Sequence, residues 1–376
     1  MSLRDKLKDA KRVVIKVGTS TLLYGETGQI NLNRIDLLVR EIVDLSNQGK
    51  DVILVTSGAI GVGMVRMGLK KRPTDVKEKQ ALASVGQGLL MHLYDKFFAE
   101  YGKTMGQVLL TMDNAVQHKQ YSNSRNTLMT MLKMGVIPVI NENDAVAVDE
   151  VKIGDNDRLS AMVASLVDAE LLIILSDIDG VYTANPSKDP NATIIDEIPE
   201  ITPAVEKMAG GAGSDVGTGG MATKIEAAKI ATASGVTMLI ASGSEKGIIR
   251  AIMDGESKGT IFPAKEAHLK VRKSWLAFGK RLKGVIRVDE GCERALKSGS
   301  SLLAAGITAT EGNYEAGNTV RILSADGREI ARGVMNYSAE AMDRIKGHST
   351  KEFASLLNGE KIYDEAIHRD NLVLMI

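Results

Sequence analysis

Two lysines in the first two thirds of the chain have the type and setting to neutralise a phosphoryl group. Lys16 belongs to the apolar run VVIKV at 13–17. An ammonium group buried in such a strand is costly unless it meets an anion. Lys224 ends the glycine-rich run SDVGTGGMATK at 214–224, whose glycines would let backbone N–H groups approach a phosphate. Together the two lysines could flank a phosphoryl group in transfer.

Each lysine also has a plainer interpretation. Lys16 could point to solvent from an edge strand, and the glycine-rich run could be a mobile surface loop. The common phosphate motifs do not apply, because a Walker A loop needs a Gly-Lys pair and Lys224 follows Thr223. A dinucleotide fingerprint would need a third glycine at position 66, which is Arg66. The sequence therefore argues against a Walker-type NTPase and a nucleotide-dependent dehydrogenase.

A second anion-binding segment follows the apolar run VILVT at 52–56. Ser57, Gly58 and Ala59 come directly after that run and precede a helical pattern. The N-terminus of a helix presents bare N–H groups and favours anions by roughly 0.3–1 kcal/mol. These three residues could therefore cradle a phosphoryl group or a carboxylate.

Two clusters of Asn, Asp and Glu offer ligands for a polar zwitterion. They are INENDAV at 140–146 and KIGDNDRLSA at 152–161. We expect Asp144 to hold an ammonium group and Asn156 to hold a carboxylate. Alternatively, Asp155 or Asn156 simply caps the helix that begins near Asp157. No spacing in these clusters specifies an all-protein magnesium site.

The elements that must position these residues alternate between short apolar runs and longer helical patterns. Strands are predicted at 13–17, 52–56, 107–111, 136–140, 171–175 and 236–241. Helices are predicted at 33–48, 76–101, 122–134, 157–168, 222–234 and 245–254. This alternation predicts an α/β fold with a parallel sheet. Ligands of such sheets bind at the carboxyl ends of the strands, where the polar segments lie.

The pattern changes after Pro263, which predicts a second, smaller and mostly β domain. A charged stretch at 264–282 is predicted to be a linker, and short runs of alternating apolar and polar residues follow from 283. The Asp326-Gly327 pair between two such runs predicts a β-hairpin over 319–335. The predicted organisation is a catalytic domain at 1–263, the linker, a small domain at 283–360 and a C-terminal extension at 361–376 that packs on one of them.

Bulk composition argues against several classes of partner. Lys+Arg and Asp+Glu both number 47, so no global charge draws the chain to nucleic acid or membrane. Residues 284–376 hold 11 Lys+Arg against 14 Asp+Glu, a net charge of −3 that disfavours RNA binding. Cys292 is the only cysteine, which fits a reducing cytoplasm, and we expect no membrane span.

The motifs in their order along the chain resemble the amino-acid kinase family. The similarity covers about residues 10–262 and rests on IKVGTS, VTSGAI, PVINENDAV, KIGDNDRLSA, LSDIDGVYTANP and GTGGMATK. It is closest to the branch that phosphorylates the side-chain carboxylate of glutamate. The segment Ser298–Ile307 and the turn-rich remainder resemble the PUA domain. The fold implied is a three-layer α/β/α sandwich with a mainly parallel sheet, followed by a small β-rich barrel.

The resemblance also implies roles for particular residues. Lys16 and Lys224 would stabilise the transferring phosphoryl group, and Asp157 would position the two lysines. Glutamate would be bound by Ser57, Asp144 and Asn156, helped by Gly58 and Ala59. ATP would be bound by Lys16, Ser176, Asp177, Thr218, Gly219, Gly220, Met221, Ala222, Thr223 and Lys224. Ser176 stands where the family often has Thr, which keeps the hydroxyl group.

The activity that the resemblance implies is ATP-dependent formation of L-glutamyl 5-phosphate, the first step of proline biosynthesis. Mg²⁺ would be bound mainly through the ATP phosphates. Proline would inhibit the enzyme, a glutamyl phosphate reductase would consume the product, and the chain would form a homodimer or homotetramer. The alternatives are a related kinase acting on aspartate, N-acetylglutamate, carbamate or uridine monophosphate, and an RNA-binding role through the C-terminal domain.

Overall fold

The chain divides into two compact units, Met1–His268 and Leu269–Ile376. The computed structural model describes residues 2–111, 118–146, 156–184, 186, 189–209, 220–265, 282–357 and 362–375. Among the helices of these residues, none has both the length and the apolar surface that crossing a membrane requires.

The first unit is built of alternating strands and helices. Its strands are β1 (Arg12–Val17), β2 (Asp51–Thr56), β3 (Met105–Leu110), β4 (Ile137–Glu142), β5 (Leu171–Ser176), β6 (Thr237–Ser242) and β7 (Thr260–Phe262). Its helices are α1 (Thr19–Leu22), α2 (Leu32–Asn47), α3 (Ala59–Met67), α4 (Val76–Glu100), α5 (His118–Lys133), α6 (Asp157–Leu166), α7 (Pro203–Ala209), α8 (Met221–Ala233) and α9 (Ile248–Met253), and a 3-10 helix spans Arg4–Asp9.

The strands form one sheet in the order β3-β4-β2-β1-β5-β6-β7. All neighbours pair in parallel except β7, which runs antiparallel to β6. The prediction of a mainly parallel α/β fold is confirmed. Strand β7 was missed because three residues before Pro263 are too few to show a periodic pattern.

Strand β1 lies in the centre of this sheet, between β2 and β5. Its apolar residues Val13, Ile15 and Val17 pack into a core with α2, α4 and α9. The opposite face of the sheet meets α6 and α8, which pack on β1, β5 and β6. Lys16 points to that second face and is 5% exposed. The alternative that Lys16 lies in an edge strand facing solvent is therefore wrong.

The second unit contains a five-stranded sheet in the order β12-β11-β10-β8-β9. Its strands are β8 (Leu282–Val288), β9 (Ile307–Gly312), β10 (Thr319–Leu323), β11 (Glu329–Val334) and β12 (Leu372–Leu374), and its helices are α10 (Glu290–Lys297), α11 (Ala339–Ile345) and α12 (Phe353–Leu356). Strands β10 and β11 pair antiparallel around Gly327, whose φ is 86°. The predicted hairpin and the separate β-rich unit are confirmed.

Candidate functional site

The centre of the site is a buried carboxylate held between two lysines. Asp157 is the first residue of α6 and is completely buried. Its Oδ1 lies 2.5 Å from Nζ of Lys16, and its Oδ2 lies 3.1 Å from Nζ of Lys224. The structure therefore brings together three residues that are 141 and 67 positions apart in the chain. With two positive charges and one negative charge, the group as a whole remains cationic.

The electrostatics of this group keep Asp157 ionised. Burial acts to raise the pKa of Asp157, but Lys16 and Lys224 act more strongly in the opposite direction and hold it well below its usual range. Since the folded pKa is depressed, the stability that the ion pairs contribute is present above the unfolded pKa of about 3.9. That stability is lost only as the pH falls through the lower pKa of the folded state.

The first turn of α8 brings further groups to Asp157. The hydroxyl of Thr223 shares its one hydrogen between the carbonyl oxygen of Gly220 at 2.7 Å and Oδ2 of Asp157 at 3.0 Å, and Gly220 is the N-cap of the helix. Helices α6 and α8 pack together, and both N-termini therefore approach the lysine pair. N-terminal N–H groups and lysine ammonium groups are a combination that suits the phosphates of a nucleotide.

A cleft beside this centre gathers the residues expected to bind the acceptor substrate. Ser57, Gly58, Ala59, Asp144 and Asn156 all line it. Thr19, Ile60, Gly61, Arg72 and Asn141 complete its wall. Gly58, the N-cap of α3, has φ 97°, which is strained for any residue with a side chain. The strand β2 and the helix α3 thus place the Ser57–Ala59 segment in the cleft.

The orientation of the Asn156 amide follows from its neighbours. The backbone N–H of Glu142 can only donate, and it donates to Asn141 at 2.9 Å, so that atom of Asn141 is Oδ1. Nδ2 of Asn156 donates to this same Oδ1 at 2.7 Å and to the carbonyl oxygen of Thr56 at 2.5 Å. Asn156 therefore presents its remaining atom, Oδ1, as an acceptor.

This arrangement corrects the expected role of Asn156. A carboxylate needs a hydrogen-bond donor, and both amide hydrogens of Asn156 are directed at protein oxygens. The amide is suited to an ammonium group instead. For Asn156 the plainer alternative is also wrong, because Asn156 is the N-cap of α6 but its side chain makes no capping hydrogen bond. Asp155, the other capping candidate, lies outside the described residues.

Three buried oxygens of the cleft have no hydrogen-bond partner among the described residues. They are Oγ of Ser57, Oδ1 of Asp144 and Oδ1 of Asn156. Native proteins satisfy nearly all such groups, so unpaired oxygens in a cleft indicate that a ligand supplies the partner. Burial raises the pKa of Asp144 to about 6, although Arg72 acts to lower it. A cationic ligand group would restore the ionised form.

Helix α4 supports the cleft from behind. Oε1 of Gln87 accepts a hydrogen bond from Nδ2 of Asn141 at 2.7 Å, and the hydroxyl of Tyr94 lies 2.9 Å from that of Thr56. Glycines allow α4 to cross α3 closely, since a Cβ on Gly86 would lie 1.8 Å from the carbonyl oxygen of Ala59. The head of α3 and the Asn156 amide are thus both held by α4.

The remaining nucleotide-binding candidates are only partly described. Ser176 and Asp177 follow β5, and Oγ of Ser176 donates to Oδ1 of Asp177 at 3.0 Å. Neither has a described contact with the lysine pair. Gly220, Met221, Ala222 and Thr223 form the start of α8 with Lys224. Thr218 and Gly219 lie outside the described residues.

Sequence reasoning missed three residues of this site. Asn141 belongs to the INENDAV motif, but its part in orienting Asn156 depends on a contact 15 positions away. Gln87 lies within a long helix, and no local pattern distinguishes it. Arg72 ends the basic run Lys70-Lys71-Arg72, which reads as ordinary solvated surface. Only the fold reveals that one of these three cations reaches the cleft.

Acidic and metal-binding side chains do not form a ready-made metal cage here. Within the described ranges, no group of three or more His, Cys, Asp or Glu residues is placed to hold a metal ion. The donor set at Asp157 is cationic on balance, which suits anionic phosphates better than a bare divalent cation.

Two family models match the chain. Residues 11–242 match the model of the amino acid kinase family, and residues 284–357 match that of the PUA domain. Both resemblances drawn from the motifs are confirmed. Among solved structures, a UMP kinase from Bacillus anthracis is similar with a TM-score of 0.48 and 17% identity, covering 68% of this chain and 97% of that one.

Curated relatives extend over nearly the whole chain. A glutamate 5-kinase from Moorella thermoacetica is 52% identical over 370 residues, covering 98% of this chain and 97% of the relative. A glutamate 5-kinase from Carboxydothermus hydrogenoformans is 50% identical over 375 residues, covering 99% of this chain and 100% of the relative. The chain therefore belongs to the amino acid kinase family, in the branch whose curated members are named glutamate 5-kinase, and it is a phosphotransferase with a PUA domain.

Proposed function

We propose that this protein transfers the γ-phosphoryl group of ATP to the γ-carboxylate of L-glutamate, giving L-glutamyl 5-phosphate and ADP, the first step of proline biosynthesis. The observation that carries the proposal is the pair of lysines on buried Asp157 next to a cleft whose unpaired oxygens await a cation. The full-length similarity to glutamate 5-kinases supports the choice of substrate.

The chemistry asks for positioning and charge neutralisation rather than proton transfer. The side-chain carboxyl of glutamate has a reference pKa of about 4.3, so it is ionised at neutral pH and needs no general base. A carboxylate oxygen forms the new bond to the γ-phosphorus while the bond to the β,γ-bridging oxygen breaks, and ADP leaves. The negative charge on the phosphoryl oxygens then meets Lys16 and Lys224.

Asp157 acts through the lysines in this scheme. Each of its oxygens is ion-paired with one ammonium group, so the two cations are held in fixed places before substrate arrives. Such preorganised charges need no rearrangement as negative charge develops. Asp157, Lys16 and Lys224 are thus proposed as the catalytic set, with Lys16 and Lys224 in contact with the phosphoryl group.

Each substrate has its own set of binding residues next to this group. Glutamate enters the cleft at Ser57, Gly58, Ala59, Asp144 and Asn156. ATP is bound by the first turn of α8, Gly220 to Lys224, together with Thr218, Gly219, Ser176 and Asp177. Bound through the phosphates of the nucleotide, Mg²⁺ would supply further charge neutralisation there.

The same proposal extends to the inhibitor, the enzyme that uses the product, the assembly and the domain organisation. Proline would inhibit by competing near the glutamate site, and a glutamyl phosphate reductase would consume the labile product. We also propose a cytoplasmic homodimer or homotetramer. For the organisation of the chain we propose a catalytic domain at 1–263, a linker at 264–282, a PUA-like domain at 283–360 and an extension at 361–376. The pairing of β12 with β11 supports packing of the extension on the PUA-like domain.

A substrate panel tests the proposal directly. Purified protein with ATP and Mg²⁺ is offered glutamate, aspartate, N-acetylglutamate, carbamate and uridine monophosphate, and ADP release is followed by a coupled assay. We expect turnover with glutamate well above the others. Turnover with aspartate but not glutamate would refute the assignment. Millimolar proline should lower the rate with glutamate, and an unchanged rate would refute inhibition by proline.

A further inference from the structure

Arg72 is the only arginine or lysine among the described residues that line the substrate cleft, and the proposed function has given it no role. It lies in the connection between α3 and α4. This connection is fixed at both ends, by Gly68 in a left-handed C-cap and by Asp75, which caps α4. Pro73 follows Arg72 and restricts it to extended backbone. The position of Arg72 at the cleft is therefore set by the chain on either side.

The guanidinium group of Arg72 has no hydrogen bond or ion pair within the described part of the chain, although it lies close enough to Asp144 for the two charges to interact. Burial lowers the pKa of Arg72 and raises that of Asp144, and each charge opposes the shift of the other. Opposite charges thus share one cleft without forming an ion pair with each other. A ligand that carries both a positive and a negative charge could therefore bind between Arg72 and Asp144.

The polar groups of the cleft include both hydrogen-bond acceptors and a cationic donor. Asp144 and Asn156 present acceptors, which suit an ammonium group. Arg72 presents a fork of donors, which suits a carboxylate in a two-point contact. An α-amino acid carries an ammonium and a carboxylate on the same carbon. Its zwitterionic end therefore complements the cleft, while its side chain is left to extend towards the lysines.

We propose that Arg72 binds the α-carboxylate of the amino-acid substrate, while Asp144 and Asn156 bind its α-ammonium group. Arg72 is then a specificity-determining residue that selects an α-amino acid over a simple carboxylic acid. The inference rests on the proposed function, because it names the part of that substrate which Arg72 holds. The phosphoryl-transfer centre at Asp157 does not depend on it.

The test uses Arg72→Met with Lys71→Met as a matched control. Lys71 is exposed, as Arg72 is, but it lies outside the cleft wall, and its loss removes the same charge from the same loop. Binding is measured as KM for glutamate and as competitive inhibition constants for two analogues. Glutarate lacks the ammonium group, and 4-aminobutyrate lacks the α-carboxylate. Thermal unfolding of each variant reports whether it is folded.

We expect Arg72→Met to weaken glutamate and glutarate roughly 10- to 100-fold, as loss of a charge-assisted hydrogen bond implies. Binding of 4-aminobutyrate, kcat and KM for ATP should change less than about twofold, since none of them uses that contact. Asp144→Asn should show the converse pattern, weakening glutamate and 4-aminobutyrate but not glutarate. Arg72→Lys should recover part of the loss.

Two outcomes would overturn the assignment. One is an equal loss for all three ligands in Arg72→Met, which would indicate a structural role. The other is a loss in Lys71→Met of the same size, which would indicate a general effect of charge. Failure of the proposed function would look different, because the unmodified protein would then give no glutamate-dependent product.

Discussion

The phosphoryl-transfer centre and the substrate cleft differ in whether their buried polar groups have partners within the protein. At the centre, both oxygens of Asp157 are ion-paired with lysines, so the charges are compensated inside the protein. In the cleft, oxygens of Asp144 and Asn156 have no partner among the described residues. The centre is complete before substrate binds, whereas the cleft becomes complete only with a ligand.

This difference separates stability from recognition. Removing one member of a buried, paired charge group leaves the others uncompensated, which harms both folding and activity. Removing an unpaired acceptor relieves the free protein of a desolvated group and harms only ligand binding. Mutations in the two regions should therefore give different signs for the change in stability of the free protein.

The largest effect is expected from Asp157→Ala, which leaves two buried ammonium groups without their shared carboxylate. We expect kcat to fall by at least about 10²- to 10³-fold. The free energy of unfolding should fall by roughly 3–5 kcal/mol. Steady-state kinetics and urea denaturation measure the two quantities.

Ser165→Ala is the control for that variant. Ser165 is buried on the same helix, and its hydroxyl has no partner among the described residues, so its loss should be nearly neutral. Wild-type kcat in folded Asp157→Ala would contradict the view that Asp157 holds the lysines in place.

The next effect concerns the pH dependence of glutamate use, which Asp144 should set. Because the pKa of Asp144 in the free protein is about 6, its carboxyl group is mostly ionised, and able to bind an ammonium group, only above that pH. We expect kcat/KM for glutamate to rise with pH up to about 6 and then level off. In the Asp144→Asn variant the rise should be absent, and kcat/KM should be roughly 10- to 100-fold lower at a pH of about 7.5.

The same substitution should stabilise the free protein at neutral pH. A carboxyl with a raised folded pKa lowers stability progressively as the pH rises from its unfolded pKa of about 3.9 through about 6. Asp144→Asn should therefore raise the free energy of unfolding at pH 7 by on the order of 1 kcal/mol. Lower stability of this variant in the absence of ligand would contradict the contrast between cleft and centre.

A smaller effect is expected where α4 crosses α3 behind the cleft. In Gly86→Ala the added methyl group would meet the carbonyl oxygen of Ala59. We expect a loss of roughly 1–3 kcal/mol in stability, together with a higher KM for glutamate, because the head of α3 lines the cleft. Urea denaturation and glutamate kinetics provide the measurements.

Gly88→Ala is the matched control on the same helix, because a Cβ at Gly88 meets nothing within 4 Å. It should stabilise the helix by roughly 0.5–1 kcal/mol without altering KM. If the two substitutions behave alike, the close helix crossing has no part in shaping the cleft.

The smallest effect is expected from Gln87, which reaches the cleft only through Asn141. Gln87→Leu removes the acceptor of the Asn141 amide and should raise KM for glutamate about fivefold with kcat unchanged. Gln87→Glu keeps an acceptor at that place and should restore KM. A shift in kcat of the same size in both variants would mean that the Gln87 side chain does not orient Asn156.

Features that rest on short-range chemistry were predictable from the sequence. Lys16 in an apolar run and Lys224 after a glycine-rich run indicated a phosphate site, because each pattern carries its own physical reason. The parallel sheet followed from alternating periods, and the hairpin followed from Asp326-Gly327. These features depend on neighbours a few residues away.

Features that depend on distant contacts were not predictable. The orientation of Asn156 is set by Thr56 in β2 and Asn141 in β4, and no local pattern distinguishes a presented oxygen from a presented N–H. Arg72 and Lys71 are adjacent basic residues, and only the path of the loop places one of them at the cleft. Whether a side chain presents a donor or an acceptor to a site therefore depends on its contacts in the folded chain.

The central claim is that two lysines held by Asp157 carry out phosphoryl transfer to a carboxylate. The most direct test is formation of an acyl phosphate from ATP and glutamate, trapped with hydroxylamine as the hydroxamate, in the intact protein and in Lys224→Ala. We predict ATP- and glutamate-dependent hydroxamate in the intact protein and a loss of roughly 10²-fold or more in the variant, with KM for glutamate nearly unchanged. Hydroxamate formed at an equal rate by folded Lys224→Ala would contradict the account.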